Sequence, residues 1–260
     1  MAADDIDDRW LNVDFSKQPE FTFGCTGPGD LDLFGSYEDA VPTLSNSEIM
    51  AAVEKETAEG GGADRLVSRI YDQKQEGSCV ANACCQSHEI VQALQYGKDA
   101  VVHLSAISLY KRIGRSPGSG AMVSDGLKEL STRGALPLDN EENRAKFGDK
   151  VMPNTGFYEK YPSDWENTAS KLTLIETYVV RTVEGLKTAL VLGHPVVVGR
   201  EGHSIVLVRL MLRNGKLVAK YPNSWHERWG DKGFGYDSES QIRKSASWAF
   251  AVRQVRRELP

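Results

Sequence analysis

A run of helical spacing that opens directly on a cysteine constrains this chain more than any other feature. From Cys79 onward, Val80, Ala83, Cys84, Ser87, Ile90, Val91 and Leu94 recur at the three- and four-residue intervals of a helix, and Gly97 ends the run. The spacing predicts a helix over 79–96, entered through the turn residues Gly77 and Ser78. A cysteine in a first helical turn faces unpaired backbone N–H groups and the positive end of the dipole, which lower its pKa and enrich the thiolate. Two side-chain amides lie just upstream, Gln73 and Gln75, and either can offer an N–H to an oxyanion formed at the sulfur.

Partners for such a thiol lie far downstream. His203 opens the apolar stretch 205–210, and Asn223 follows Pro222 in the run Tyr221-Pro222-Asn223-Ser224-Trp225. A histidine can take the thiol proton and return it to a leaving group, and an amide oxygen can hold the far ring nitrogen. Trp225 has an indole large enough to cover that bond against water. His88, His103, His194 and His226 are the other histidines.

With these residues in view, the chain resembles the papain family of cysteine peptidases. Gln, Gly-Ser-Cys, a histidine opening an apolar strand, and Asn-Ser-Trp followed by Trp229-Gly230 and Gly233-Phe234-Gly235 occur here in that family's order, over residues 66–260. The resemblance implies a Cys79 nucleophile that forms a thioester acyl-enzyme with a peptide or protein substrate. It implies His203 as general acid and base, Asn223 orienting it, Trp225 supporting both, and no cofactor. The family's six-residue spacing selects Gln73 over Gln75 for the oxyanion. Gly118, Ser119 and Gly120 resemble its glycine-rich substrate strip, with Met122 and Val123 expected to line an apolar pocket for the second substrate residue.

The periodicity beyond the first helix places that resemblance in a fold. Helical stretches are predicted near 105–112 and 124–133, then strands over 172–180, 195–198, 204–212, 217–221, 233–236 and 248–255, with a short helix over 184–192. Asn214-Gly215 is a strong hairpin turn. Helices first and strands later predict an α+β protein. The expected division is an acidic N-terminal extension over 1–65, with a short helix capped by Ser45 or Ser47, and a papain-like domain over 66–260. That domain splits into a helical lobe over 66–160 and an antiparallel, β-barrel-like lobe over 161–260, with the cleft between them.

Charge and cysteine usage bound the setting. Residues 1–50 carry eleven acidic side chains against Arg9 and Lys17, while the remaining 210 carry 29 basic and 25 acidic ones. That balance gives no case for a nucleic-acid partner. The acidic run reads first as a solvated tail, and its spaced aromatics Trp10, Phe15, Phe21, Phe23 and Phe34 suggest a segment that wraps a surface. They also motivate a second reading, in which the papain-like body is a docking or structural component of a virion or secretion particle. No signal-like start and no apolar run of ~18 residues is present, so neither export nor a membrane span is expected. Cys25, Cys79, Cys84 and Cys85 give no disulfide framework and no zinc spacing, which favours a reducing, cytoplasmic-type compartment.

Three departures from the family pattern stand out. Val80 replaces the usual tryptophan after the nucleophile, and Glu76 stands where secreted members carry a disulfide cysteine. The connection Gly199-Arg200-Glu201-Gly202 before His203 is short, so subsite preferences are not carried over. No long helical inhibitory region precedes the catalytic body, and control by such a domain is not expected.

Overall fold

The computed structural model describes residues 8–18, 22–200 and 202–260. Asp4, Asp5, Asp7, Glu20, Phe21 and Glu201, all used in the sequence reading, lie outside the described residues. In chain order the helices are α1 (Tyr37–Ala40), α2 (Asn46–Glu59), α3 (Cys79–Tyr96), α4 (Ala106–Ile113), α5 (Val123–Thr132), α6 (Glu141–Phe147), α7 (Trp165–Ala169), α8 (Val183–Val191) and α9 (Glu239–Ser245). The strands are β1 (Cys25–Gly27), β2 (Ala121–Met122), β3 (Leu172–Val180), β4 (Val196–Arg200), β5 (His203–Leu207), β6 (Arg209–Arg213), β7 (Lys216–Pro222), β8 (Phe234–Ser238) and β9 (Ala249–Arg257). None of the helices is long and apolar enough to cross a membrane.

The α+β expectation holds. One antiparallel sheet runs in the order β3-β9-β4-β5 and a second in the order β6-β7-β8, while β1 and β2 form a short parallel pair. The sheets do not close into a barrel among the described strands. The predicted strand over 204–212 is interrupted at Val208, whose N–H bonds Lys220 O at 2.9 Å, and the chain passes there from the first sheet to the second. Asn214 (φ 48°) and Gly215 (φ 70°) make the β6–β7 turn with Arg213 paired to Lys216, the two positive φ angles that such a hairpin needs.

The first sheet is a wall between two cores, because successive strand residues point to opposite faces. Val197, Val206, Phe250 and Val252 face the core around α3, whose residues from Cys79 to Ala93 are all buried. Val196, Val198, Ile205 and Leu207 face the other core, which Phe15, Tyr37, Ile49 and Val53 complete. Phe15, Tyr37, Ile49 and Val53 of the N-terminal extension are therefore part of the folded body. Ser45 caps α2 in a full capping box with Glu48. Glu38 Oε1 accepts the N–H groups of Arg181 and Thr182, at 3.0 and 2.9 Å, just ahead of α8. Part of the acidic run is thus spent on helix ends and turns, and was not recognisable as such from its charge.

Candidate active site

Each candidate side chain sits where an element begins or ends. Cys79 is the first residue of α3, so its own N–H is among those the helix leaves without an internal partner. His203 is the first residue of β5 and pairs with Arg200 of β4, and Gly202 just before it has φ 81°. Asn223 directly follows β7. Gln73 precedes the tight entry to α3, and its backbone N–H is fixed to Ser224 O at 2.9 Å.

The structure brings His203, Asn223, Trp225 and Gln73 into one buried cluster. His203 Nε2 lies 2.8 Å from Asn223 Oδ1, which also accepts the Ser224 N–H at 2.8 Å. Because that oxygen can only accept, Nε2 carries the proton and Nδ1 holds the lone pair. The indole of Trp225 lies over the imidazole with ring centroids 4.5 Å apart and planes at 33°. Gln73 is fully buried, and its Oε1 accepts the Ser224 hydroxyl at 2.6 Å. Ser224, which the sequence reading passed over, thereby ties the glutamine to the asparagine beside it. A second missed residue, Asn82, holds the turn before Cys79 by donating to Ser78 O at 2.8 Å and to Ser78 Oγ at 3.0 Å.

The cleft is filled by the chain's own N-terminal segment. Gln73 Nε2 donates to Thr22 O at 2.9 Å, Gly24 N–H to Gly202 O at 2.8 Å, and Ala121 N–H to Gly24 O at 2.7 Å. β1 then continues alongside β2. Gly24 has no room for a side chain, since a Cβ there would stand 1.9 Å from Gly77 O. Farther back, Phe15 places its ring 4.5 Å from the imidazole and edge-on to Trp225 at 5.3 Å. The spaced aromatics were the visible signal of this strap. Its route over the site was not visible, because it depends on backbone bonds that any sequence can make.

Gly118 and Ser119 stand apart from the strap. Gly118 is exposed, and Ser119 bonds within its own turn to Arg115 N and Ser116 N. Gly120 approaches Gly24 closely, and Ala121 and Met122 make the strand pairing. The side chain of Met122 is exposed.

Burial governs the electrostatics. Burial pushes the Cys79 thiol up, with Cys25 adding to the rise, against the backbone amides of Ser204, Gly24 and Val80. The helix start alone predicted a lowered value, and desolvation outweighs it here. Burial likewise lowers His203 to about 4, the Asn223 bond opposing it and Arg200 adding to it. Nδ1 has no hydrogen-bond partner among the described residues. Burial thus favours the neutral form of both thiol and imidazole, and among the described residues no hydrogen bond joins them. Cys84 and Cys85 are buried in α3 with their thiols also raised by burial. No group of three or more His, Cys, Asp or Glu among the described residues is arranged to hold a metal ion.

No protein-family model matches the chain, and no curated protein does. Solved structures do. Xylellain, a cysteine protease from Xylella fastidiosa, is similar over 72% of this chain and 83% of its own, at 19% identity and TM-score 0.56. Digestive procathepsin L2 from Tenebrio molitor larval midgut is similar over 92% of this chain and 80% of its own, at 15% identity and TM-score 0.63. Procathepsin B S9 from Trypanosoma congolense is similar over 93% and 89%, at 14% identity and TM-score 0.57. At these identities the likeness is one of architecture, and the chain has the papain-like fold.

Proposed function

We propose that the chain is a papain-type cysteine peptidase held latent by its own N-terminal segment. The observation that carries this reading is the 2.8 Å contact between His203 Nε2 and Asn223 Oδ1, which leaves Nδ1 as the ring's proton acceptor. Cys79 gives its proton to that nitrogen, and the sulfur attacks the carbonyl carbon of a peptide bond. Gln73 Nε2 and the Cys79 backbone N–H receive the oxyanion. The imidazolium then protonates the leaving amine, and water activated by His203 hydrolyses the thioester.

Latency follows from what the strap occupies. Thr22 O takes the Gln73 N–H that an oxyanion needs, and Phe15 shields the imidazole. The two procathepsins align with 92% and 93% of this chain, more than residues 66–260 alone can supply, and this supports reading residues before 66 as part of a latent form.

The test is thiol labelling and peptide cleavage by the full chain carrying Gly24→Ala, which loosens the strap. An epoxide probe should modify Cys79 ahead of Cys84 and Cys85, and cleavage of a mixed peptide library should vanish with Cys79→Ala. Equal labelling of the three thiols together with unchanged cleavage would sink the reading.

A further inference from the structure

Between α3, β5 and the loop that carries Asn223 lies a small cavity of about 10 Å³, room for one water molecule and no more. Gln86 and Asn223 both line it, and they are only 4% and 2% exposed. Gln86 Nε2 and Asn223 Nδ2 have no hydrogen-bond partner among the described residues. Each is a donor withheld from solvent, a cost that folded proteins relieve with an acceptor.

The other side-chain donors of the lining are engaged elsewhere. The Tyr71 hydroxyl donates to Glu89, that of Ser204 to Val198 O and that of Ser224 to Gln73 Oε1. Asn82 donates to Ser78. Gln86 follows Asn82 by one turn of α3, so the helix presents both polar side chains to the Asn223 loop on one face.

The orientation of the Asn223 amide decides the tautomer of His203. Oδ1 lies 2.8 Å from His203 Nε2 and accepts the Ser224 N–H at 2.8 Å. A half turn of the amide would set Nδ2 against those two N–H groups and lose both bonds. An acceptor in the cavity holds Nδ2 in place from the other side. Two donors cannot bond each other, but a water oxygen accepts from both.

We propose that one buried water bridges Gln86 Nε2 and Asn223 Nδ2, and that Gln86 is thereby a positioning residue for the His203–Asn223 pair. The hydrogens of this water go to carbonyl oxygens of β5, the edge strand of its sheet. The role in catalysis rests on the peptidase reading above, whereas the water does not.

A high-resolution crystal structure of the full chain should show one ordered water within hydrogen-bond distance of both nitrogens. A dry cavity, or a direct bond from Asn223 Nδ2 to Gln86 Oε1, overturns the proposal. The second test is Gln86→Met, which keeps an unbranched side chain and drops the donor. By NMR of the full chain with labelled histidine, the His203 Nε2–H should exchange with solvent about fivefold faster, the scale of one neutral hydrogen bond. In the Gly24→Ala background kcat should fall by a similar factor with KM unchanged, and His203 should titrate at a lower pH, because the Asn223 bond favours its protonated form. A fall in kcat with exchange and titration unmoved marks a packing effect and overturns the positioning role. Absence of Cys79-dependent cleavage overturns the peptidase reading instead, and the exchange rate and the crystal structure still decide the bridge. Should Gln86→Met fail to fold, the structure of the unaltered chain decides it alone.

Discussion

Phe15 stands with its ring 4.5 Å from the imidazole of His203 at an angle of 60°, on a segment more than 180 residues earlier in the chain. Together with Trp225 it encloses the ring in apolar surface, so the proposed base of the site is shut off by a side chain that takes no part in catalysis. The contact links the sequence of the extension directly to the protonation state of the site.

Loosening the strap should raise activity. Gly24→Ala forces a Cβ toward Gly77 O, a backbone atom that cannot turn aside, and Phe15→Ala removes an aromatic side chain whose burial is worth about 3 kcal/mol. Both variants should label at Cys79 with an epoxide probe at least tenfold faster than the natural chain, a factor that corresponds to about 1.4 kcal/mol. Labelling at the unaltered rate in both variants would show that the strap does not govern access.

Acid should open the strap. With the strap in place His203 is held neutral down to about pH 4, whereas an exposed histidine takes up its proton near 6.5. Between those values the open form binds more protons, so the closed form's advantage is complete above pH 6.5 and is lost as pH falls through about 4, a change of up to about 3 kcal/mol. His88 and His194 are also lowered to about 4 by burial and push the whole fold in the same direction. Hydrogen exchange resolves the two events. After correction for intrinsic rates, the amides of Gly24 and Cys25 should lose protection at a higher pH than those of α3, and loss of both together would rule out a separate strap opening.

What the sequence displayed and what it hid divide along one physical line. Local patterning gave the bounds of α3 and β3, although α3 is buried on every side from Cys79 to Ala93 and the burial of β3 does not alternate strictly. The proximity of His203 and Asn223 was inferred from motif order, and the structure places them in hydrogen-bond contact. The break at Val208 was hidden, since Ile205-Val206-Leu207 and Leu210-Met211-Leu212 on either side are apolar and only the change of sheet separates them. The strap was hidden for a different reason: Thr22 and Gly24 act through backbone groups, and the roles of Gly24 and Ser224 appear only once distant segments meet.

Glu76 should prove to be a structural tie. Its Oε1 accepts the N–H groups of Gly156 and Phe157, both at 2.9 Å, and so joins the turn before Cys79 to a loop some 80 residues later. This bond stands at the position where the resemblance places a disulfide cysteine in secreted members, and it works without oxidation. Glu76→Ala leaves two N–H groups without their acceptor, at a cost of about 2 kcal/mol, and should lower Tm by roughly 5 °C. Glu76→Gln keeps an acceptor oxygen and should recover most of that loss. Equal Tm for all three proteins, measured by calorimetry under reducing conditions, would remove the tie from the account.

Gln73 and Gln75 offer the sharpest separation of a catalytic amide from a bystander. Gln73 is fully buried, held by Ser224 Oγ at 2.6 Å and aimed at Thr22 O, whereas Gln75 is exposed and its Oε1 accepts the Thr22 hydroxyl at 3.4 Å. A rigid donor that is already oriented when charge develops is worth far more than one that must be recruited from solvent. In the strap-loosened Gly24→Ala chain, Gln73→Ala should lower kcat by roughly 100-fold with little change in KM. Gln75→Ala should leave kcat within about twofold, as expected of a surface substitution worth less than 0.5 kcal/mol. Ser224→Ala frees the Gln73 amide to rotate and should fall between the two, with Tm changed by only a few degrees. A loss on Gln75→Ala equal to that on Gln73→Ala would assign the oxyanion donor to the wrong residue.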